Sequence, residues 1–201
     1  MKSLIQSLKM ILAMTVITGI LYPLFITGIA QTLFPSKANG SLIRINGTIR
    51  GSRLIGQKFD TTYYIWSRPS ATGYDPNPSG ASNLALTSKA LHDQVEKRTL
   101  DFMNGHGIKS PVLVPAGMIF TSGSGLDPDI TPYAALLQVN RVAKARHWDA
   151  PKRKEAVRLI DSLTQKPEFL IFGNTRINVL LLNLELDKLD HPNGREPSGS
   201  R

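Results

Sequence analysis

The side chains that most often carry chemistry are spread thinly along this sequence. The four histidines are too far apart for the spacing of a metal site, and cysteine is absent. Ser122-Gly-Ser124-Gly is offset from the Gly-x-Ser-x-Gly nucleophile elbow. The acidic residues form no pair suited to act as general acid and base. The sequence therefore predicts neither a metal site nor a catalytic set of its own.

A serine- and glycine-rich loop and a basic stretch after it are the best candidates for a binding site. Residues 121–128 run Thr-Ser-Gly-Ser-Gly-Leu-Asp-Pro, and the backbone amides of such a loop can hold an anion. The same residues are also ordinary turn formers. Gln138 and Arg141 share one face of a predicted helix, and basic residues dominate from Arg141 to Arg158. This stretch is either a nucleotide-binding patch or a solvated helix face.

These residues must be positioned by whatever follows the one long apolar run of the chain. No charged residue lies between Lys9 and Lys37, and ~20 mainly apolar residues suffice to cross a bilayer. We predict a transmembrane helix at residues 10–35, kept as an anchor. A cleaved secretory signal is the alternative, because small residues at 28–30 follow a basic start.

The anchor carries small and polar residues at every fourth position. Such a row lets a second helix approach closely and offers it hydrogen-bonding groups in lipid. The bland alternative is that threonine and glycine are simply common in membrane helices. We predict a helix–helix interface at these positions: Thr15, Gly19, Pro23, Thr27 and Gln31.

The rest of the chain predicts an α/β (α+β) soluble domain attached to this single N-terminal helix. Asn46-Gly47 between alternating residues predicts a hairpin. Helices are expected at residues 87–104, stopped by Gly105, and at 151–165 and 177–189. Another helix should be capped by Thr131, with Pro132 in its first turn. Short strands are expected at residues 63–66, 112–114, 118–120 and 169–172.

The predicted organisation is a short N-terminal tail (1–9), the transmembrane helix (10–35), one soluble domain (36–190) and a disordered tail (191–201). The net charge of +9 suits an anionic membrane surface, a nucleotide or an acidic partner. Counting basic residues on the two sides of the span favours a cytoplasmic body, because Lys37, Arg44, Arg50 and Arg53 follow it.

Several sequence blocks in this order and spacing resemble one family, the C subunit of the Kdp potassium-transporting P-type ATPase of bacteria. The resemblance extends from the anchor to about Leu189. The blocks are Tyr22-Pro23-Leu24, Gln31, Phe34-Pro35, Gly40-Ser41-Leu42, Gly51-Ser52, Leu54-Ile55-Gly56-Gln57 with Phe59, Arg68-Pro69-Ser70-Ala71, Ser79 to Leu84, Ser122 to Pro128, Gln138 with Arg141-Val142-Ala143, Asn178-Val179-Leu180 and Leu182-Asn183.

This resemblance implies a non-catalytic subunit that aids assembly and stability of the pump and raises the ATP affinity of its ATPase subunit. Its expected partners are a channel-like potassium-binding subunit, the P-type ATPase subunit, a small helical subunit and membrane lipid, without nucleic acid. No cofactor would be bound tightly, and ATP would act through the complex. The implied location is the bacterial inner membrane, with the N-terminus cytoplasmic and the body extracytoplasmic, against the charge count.

The alternative is a nucleotide-binding accessory protein that contacts ATP directly through the serine–glycine loop and the basic patch. The candidate contacts with a partner or with nucleotide are Arg68, Ser82, Asn83, Ser122, Ser124, Asp127, Gln138 and Arg141.

Overall fold

The structure, a computed structural model, describes residues 1–169 and 171–190. It divides into two compact units, Met1–Ser52 and a second unit that begins at Arg53. In the described residues, the second unit is built from four helices of eight or more residues and one small antiparallel pairing, and the first unit holds a second such pairing after its long apolar helix. This confirms the predicted fold class. The predicted tail at 191–201 lies outside the described residues.

The first unit begins with a helical stretch in three parts. Helix α1 (Lys2–Val16) continues through a π-helical turn (Ile17–Leu21) into α2 (Tyr22–Leu33). Pro23 has no N–H to donate to the preceding turn, and the π turn before it is closed by the bond from the Tyr22 N–H to the Ile17 carbonyl. Among the described residues this is the one helix long and apolar enough to span a membrane. The residues predicted as a short tail are helical from Lys2 onward.

A short helix, α3 (Pro35–Ala38), leads into the hairpin of β1 (Leu42–Ile45) and β2 (Thr48–Ser52). Asn46 and Gly47 both have positive φ, 51° and 79°, as a tight two-residue hairpin turn requires. The predicted hairpin is therefore confirmed. A β-bulge between Ile43 and Arg44 shifts its register.

The core of the second unit lies among α4 (Lys89–His106), α5 (Pro132–Ala145), α6 (Ala150–Leu163) and α7 (Val179–Asp190). Helix α5 packs on α4 and α6, and α6 packs on α7. A two-residue pairing of β3 (Asp129–Ile130) with β4 (Ile177–Asn178) joins the starts of α5 and α7. The fully buried side chains include Ile65, Val142, Ile160, Ile177 and Leu182.

Local sequence signals mark the starts of the helices in the structure. The Thr131 hydroxyl accepts a hydrogen bond from the Ala134 N–H at 3.2 Å, with Pro132 in the first turn, as predicted. Asp149 caps α6 in the same way through the Lys152 N–H at 3.0 Å. The predicted stop of α4 was wrong by two residues. Gly107, with φ of 67°, ends the helix, while a side chain at Gly105 would lie 3.2 Å from the Trp66 ring.

None of the four predicted strand segments forms a strand in the described residues. Residues 112–114 and 118–120 lie in or beside 3₁₀ turns, Pro111–Leu113 and Ala116–Met118, because Pro111 and Pro115 start tight turns and lack the N–H that a strand needs. Around residues 169–172 the described backbone forms only a single bridge, between Glu168 and Phe172. Leu170 lies outside the described residues.

The aromatic segment, residues 61–66, was predicted as a strand over 63–66 but joins neither sheet in the described part of the chain. Helix side chains replace the missing strand neighbour. Asn183 on α7 accepts from the Ile65 N–H at 2.8 Å and donates to the Ile65 carbonyl at 2.9 Å. Gln138 on α5 binds Trp66 in the same way: it accepts from the Trp66 N–H at 2.8 Å and donates to the Trp66 carbonyl at 3.4 Å. Both amides are buried, so Ile65 enters the core with its backbone polar groups satisfied.

We predict that Asn183→Leu lowers the free energy of unfolding by about 3 kcal/mol, because it leaves the buried N–H and C=O of Ile65 without partners. The matched control is Asn140→Leu at an exposed position of α5, which should change stability little. Urea unfolding of the full chain in detergent micelles, followed by tryptophan fluorescence, compares the two. Equal effects of the two substitutions would contradict the assigned role of Asn183.

Candidate functional site

The predicted site residues fall into two groups in the second unit. The first group surrounds the serine–glycine loop, residues 122–127. The Ser122 hydroxyl accepts from the Asp127 N–H at 3.4 Å, and the Ser124 hydroxyl accepts from the Leu126 N–H at 3.1 Å. The Gly125 N–H donates to the Ser122 carbonyl at 3.2 Å. Three amides of the loop are thus engaged by the loop itself rather than offered to an anion.

A second loop, residues 68–84, packs directly on the serine–glycine loop. The Gly80 N–H donates to the Ser124 carbonyl at 2.9 Å. Gly125 has φ of 70°, and a side chain there would lie 2.8 Å from the Gly80 carbonyl oxygen and 3.0 Å from the Thr72 hydroxyl. Only glycine fits this contact. Ser82, half-buried, and Asn83, exposed with φ of 51°, follow Gly80 by two and three residues.

An ion pair joins the same two loops. Arg68 Nη1 lies 2.6 Å from Asp127 Oδ2, and both side chains are about one-third exposed or less. The other Asp127 oxygen accepts from the Asp129 N–H at 2.9 Å. The Tyr74 hydroxyl donates to the Arg68 carbonyl at 2.6 Å, and burial raises the pKa of that phenol. The structure thus brings together Arg68, Ser122, Ser124 and Asp127, with Ser82 and Asn83 nearby in sequence.

The second group is centred on Arg141, and the chain itself uses all of its donors. The guanidinium donates to His106 Nε2 at 2.9 Å, to Gln138 Oε1 at 3.0 Å, and to the carbonyls of Thr61, Thr62 and Tyr64 at 3.1, 2.7 and 2.8 Å. It also stacks over the Trp66 ring at 4.3 Å. Burial lowers the pKa of Arg141 to about 10. With five N–H groups and five acceptors, Arg141 could bind a phosphate only by giving up hydrogen bonds within the chain.

His106 also belongs to this group, although no sequence signal identified it. Its Nε2 accepts from Arg141, so we assign the proton to Nδ1, which donates to the Phe102 carbonyl at 2.7 Å. The ring stacks on Phe102 at 4.1 Å and meets Trp66 edge-on at 5.0 Å. Burial, opposed in part by the Phe102 carbonyl, lowers the pKa of His106 from 6.5 to about 4. The imidazole is therefore neutral near pH 7.

Arg146, at the end of α5, is a second buried arginine of the predicted basic stretch. Its Nε donates to the Tyr63 carbonyl at 2.7 Å, and its other nitrogens pair with Asp187 and Asp190 at 2.8 Å each. Its side chain is 6% exposed. Lys152 lies 3.6 Å from Asp190. The basic residues of this stretch that remain exposed are Lys144, Arg153, Lys154 and Arg158.

The predicted interface row lies in the first unit, and all five of its residues are exposed. Within the described chain, the hydroxyls of Thr18 and Thr32 bond to their own helix at 2.7 Å, whereas those of Thr15 and Thr27 have no partner. Gln31 exchanges hydrogen bonds with Asn39, so one member of the row is already paired. The described residues contain no group of three or more histidine and acidic side chains that could hold a metal ion.

A helix long and apolar enough to span a membrane, followed by a mixed helical and β body, defines a two-part class of protein. Comparison with known sequences names the member of that class. The family described as "KdpC: K+-transporting ATPase, c chain" matches residues 4–188. The chain belongs to this family, as a subunit of a potassium-transporting ATPase.

The relatives cover nearly the whole chain. "Potassium-transporting ATPase KdpC subunit" of Paraburkholderia phytofirmans is 43% identical over 195 residues, which are 95% of this chain and 100% of the relative. The protein of the same name from Acidobacterium capsulatum is 49% identical over 177 residues, 87% of this chain and 91% of the relative. That of Rhodospirillum rubrum is 45% identical over 190 residues, 94% and 96% of the two chains.

We predict that acid weakens the fold through His106. Its pKa is about 4 in the folded state and near 6.5 when unfolded, so between these values the unfolded chain binds more protons. The contribution of neutral His106 to the free energy of unfolding is fully present above pH 6.5. It is lost as the pH falls toward 4, and the loss is about 1–2 kcal/mol after discounting for partial exposure. Urea unfolding of the full chain in micelles at pH 7.5 and 4.5 measures this loss.

The variant His106→Gln should lose less stability between these two pH values than the unmodified chain, because its side chain does not titrate. The exposed His92→Gln is the matched control and should keep the full pH dependence. If His106→Gln and His92→Gln show the same pH dependence, His106 is not the group responsible.

Proposed function

We propose that this chain is the anchored, non-catalytic subunit of a potassium uptake pump, and that its apolar helix is a docking surface as well as a tether. The observation that carries the proposal is that the described part of this chain leaves the helix uncovered. In Lys2–Leu33 every side chain but Ala30 is exposed. Lipid can cover the aliphatic faces, while the row of small and polar residues fits another helix.

The π turn improves the alignment of that row. Along an α-helix, every fourth residue drifts by about 40° around the axis, because four residues exceed one turn of 3.6. The π turn at Ile17–Leu21 closes by an i to i+5 bond and holds more residues per turn. The π turn therefore reduces the rotation of the row around the helix axis between Thr15 and Pro23. The five positions lie on a narrower stripe than they would in an uninterrupted α-helix.

The partner we propose for this stripe is the channel-like potassium-binding subunit of the same pump. The hydroxyls of Thr15 and Thr27 are the groups best suited to bond to its helices, since no other group in the described residues engages them. Gly19 supplies the close approach. The P-type ATPase subunit and a small helical subunit would complete the complex, in the bacterial inner membrane.

We further propose that the body is extracytoplasmic and raises the ATP affinity of the ATPase subunit without touching nucleotide. The body can do so only if it binds one conformation of the pump more tightly than another. Two features favour this route over direct ATP binding through the predicted site. Arg141 has its five N–H groups engaged, and Arg68 is paired with Asp127.

We predict that Gly19→Leu reduces the amount of pump that co-purifies with this subunit by roughly tenfold, since a large side chain blocks close helix approach. A Cβ atom at Gly19 would lie 4.0 Å from the Thr15 side chain, an ordinary contact, and the position is exposed, so the subunit should still fold. Gly28→Leu is the matched control. It lies off the row, has nothing within 4 Å, and should leave co-purification unchanged.

The same two variants test the effect on ATP. Membranes with Gly19→Leu should need more ATP for half-maximal potassium-dependent ATPase activity, while those with Gly28→Leu should not. Full complex yield with Gly19→Leu would refute the row as the interface. If pump that lacks this subunit forms in full yield and needs no more ATP for half-maximal activity, the proposed effect on ATP affinity is refuted.

A further inference from the structure

An apolar tip projects from the body between α6 and β4. The tip is defined by Phe169, Ile171 and Phe172, whose exposed fractions are 84%, 77% and 67%. Large apolar side chains exposed singly are ordinary, but three within four positions of one turn form a patch that water solvates poorly. The core of the body does not use them.

The backbone beneath the tip holds it away from the core. Gln165 and Arg176 exchange two backbone hydrogen bonds, at 2.8 and 3.1 Å, and the Glu168 N–H donates to the Phe172 carbonyl at 2.9 Å. This ladder continues directly into β4 and α7, whose first residues, Ile177 to Leu180, are buried. Two backbone bridges thus lie between the tip and the buried residues at the start of α7.

We propose that this tip inserts into the membrane interface and rests the body on the lipid surface. Phenylalanine and isoleucine on an exposed turn gain free energy by entering the boundary between headgroups and acyl chains. One weak insertion suffices here, because the apolar N-terminal helix already holds the body beside the bilayer and makes the second contact intramolecular.

The charge of the segment that contains the tip also favours a lipid surface as its partner. Lys166, five residues before Ile171, is exposed. Across residues 150–176 basic residues outnumber acidic ones. A basic group near an anionic lipid surface adds to binding, and exposed apolar side chains with basic residues in the same segment are typical of interfacial anchors.

The test uses the absence of cysteine from the chain. The variant Phe172→Cys carries a nitroxide label at the tip, and Leu86→Cys, at a residue 93% exposed on another loop, is the matched control. Each full-length protein is placed in nanodiscs of phosphatidylethanolamine and phosphatidylglycerol. The collision rates of the label with oxygen, which enters lipid, and with a water-soluble nickel chelate are then measured.

We expect the tip label to favour oxygen over nickel several-fold more than the label at Leu86. The added substitution Ile171→Asp should reverse that shift without altering the unfolding curve, because Ile171 is exposed. Equal access of nickel to both labels would overturn the proposal by placing the tip in water. Protection of the tip label from oxygen and nickel alike would also overturn it, because a second copy of the chain would then cover the tip.

Discussion

The body depends on a segment whose backbone is held by helix side chains instead of a neighbouring strand. Each of the six carbonyls of residues 61–66 accepts a hydrogen bond from a side chain. Arg141, Gln138 and Asn183 supply most of them, and Arg146 supplies the one to Tyr63. Because buried carbonyls and N–H groups must be paired, these side chains let Ile65 pass through the core between α5 and α7. A sheet would have needed a second strand in that space.

This arrangement changes what the basic stretch after Arg141 can do. Arg141, a predicted contact with nucleotide, instead holds the aromatic segment together with Arg146. Arg146 pairs with Asp187 and Asp190, and Arg141 stacks over the Trp66 ring. The serine–glycine loop is closed on itself and on Gly80 in a comparable way. Both groups stabilise a defined shape. A shape held this firmly suits a subunit that acts by binding one state of a partner better than another.

The parts of the fold that the sequence predicted are those decided by neighbours in the chain. Thr131 and Pro132 start a helix, and Asn46-Gly47 closes a hairpin, within four residues of themselves. The incorrect predictions involve contacts between residues far apart in the sequence. The aromatic segment has the composition of a strand, but Asn183, its partner, lies 118 residues further on. Nothing near Gly105 in the sequence shows that this glycine packs against Trp66, while Gly107 is the glycine that ends the helix. The family was evident from spaced motifs, whereas the engagement of Arg141 and the role of His106 required three-dimensional contacts.

Hydrogen–deuterium exchange at Ile65 and Trp66 measures how firmly the helix side chains hold the aromatic segment. In the full chain in micelles, both amides should exchange as slowly as those in the middle of α5, such as Val142, because buried amide side chains hold them. Substituting Asn183 should speed exchange at Ile65 more than at Val142. Exchange at Ile65 and Trp66 as fast as at the exposed Leu86 in the unmodified chain would contradict the account.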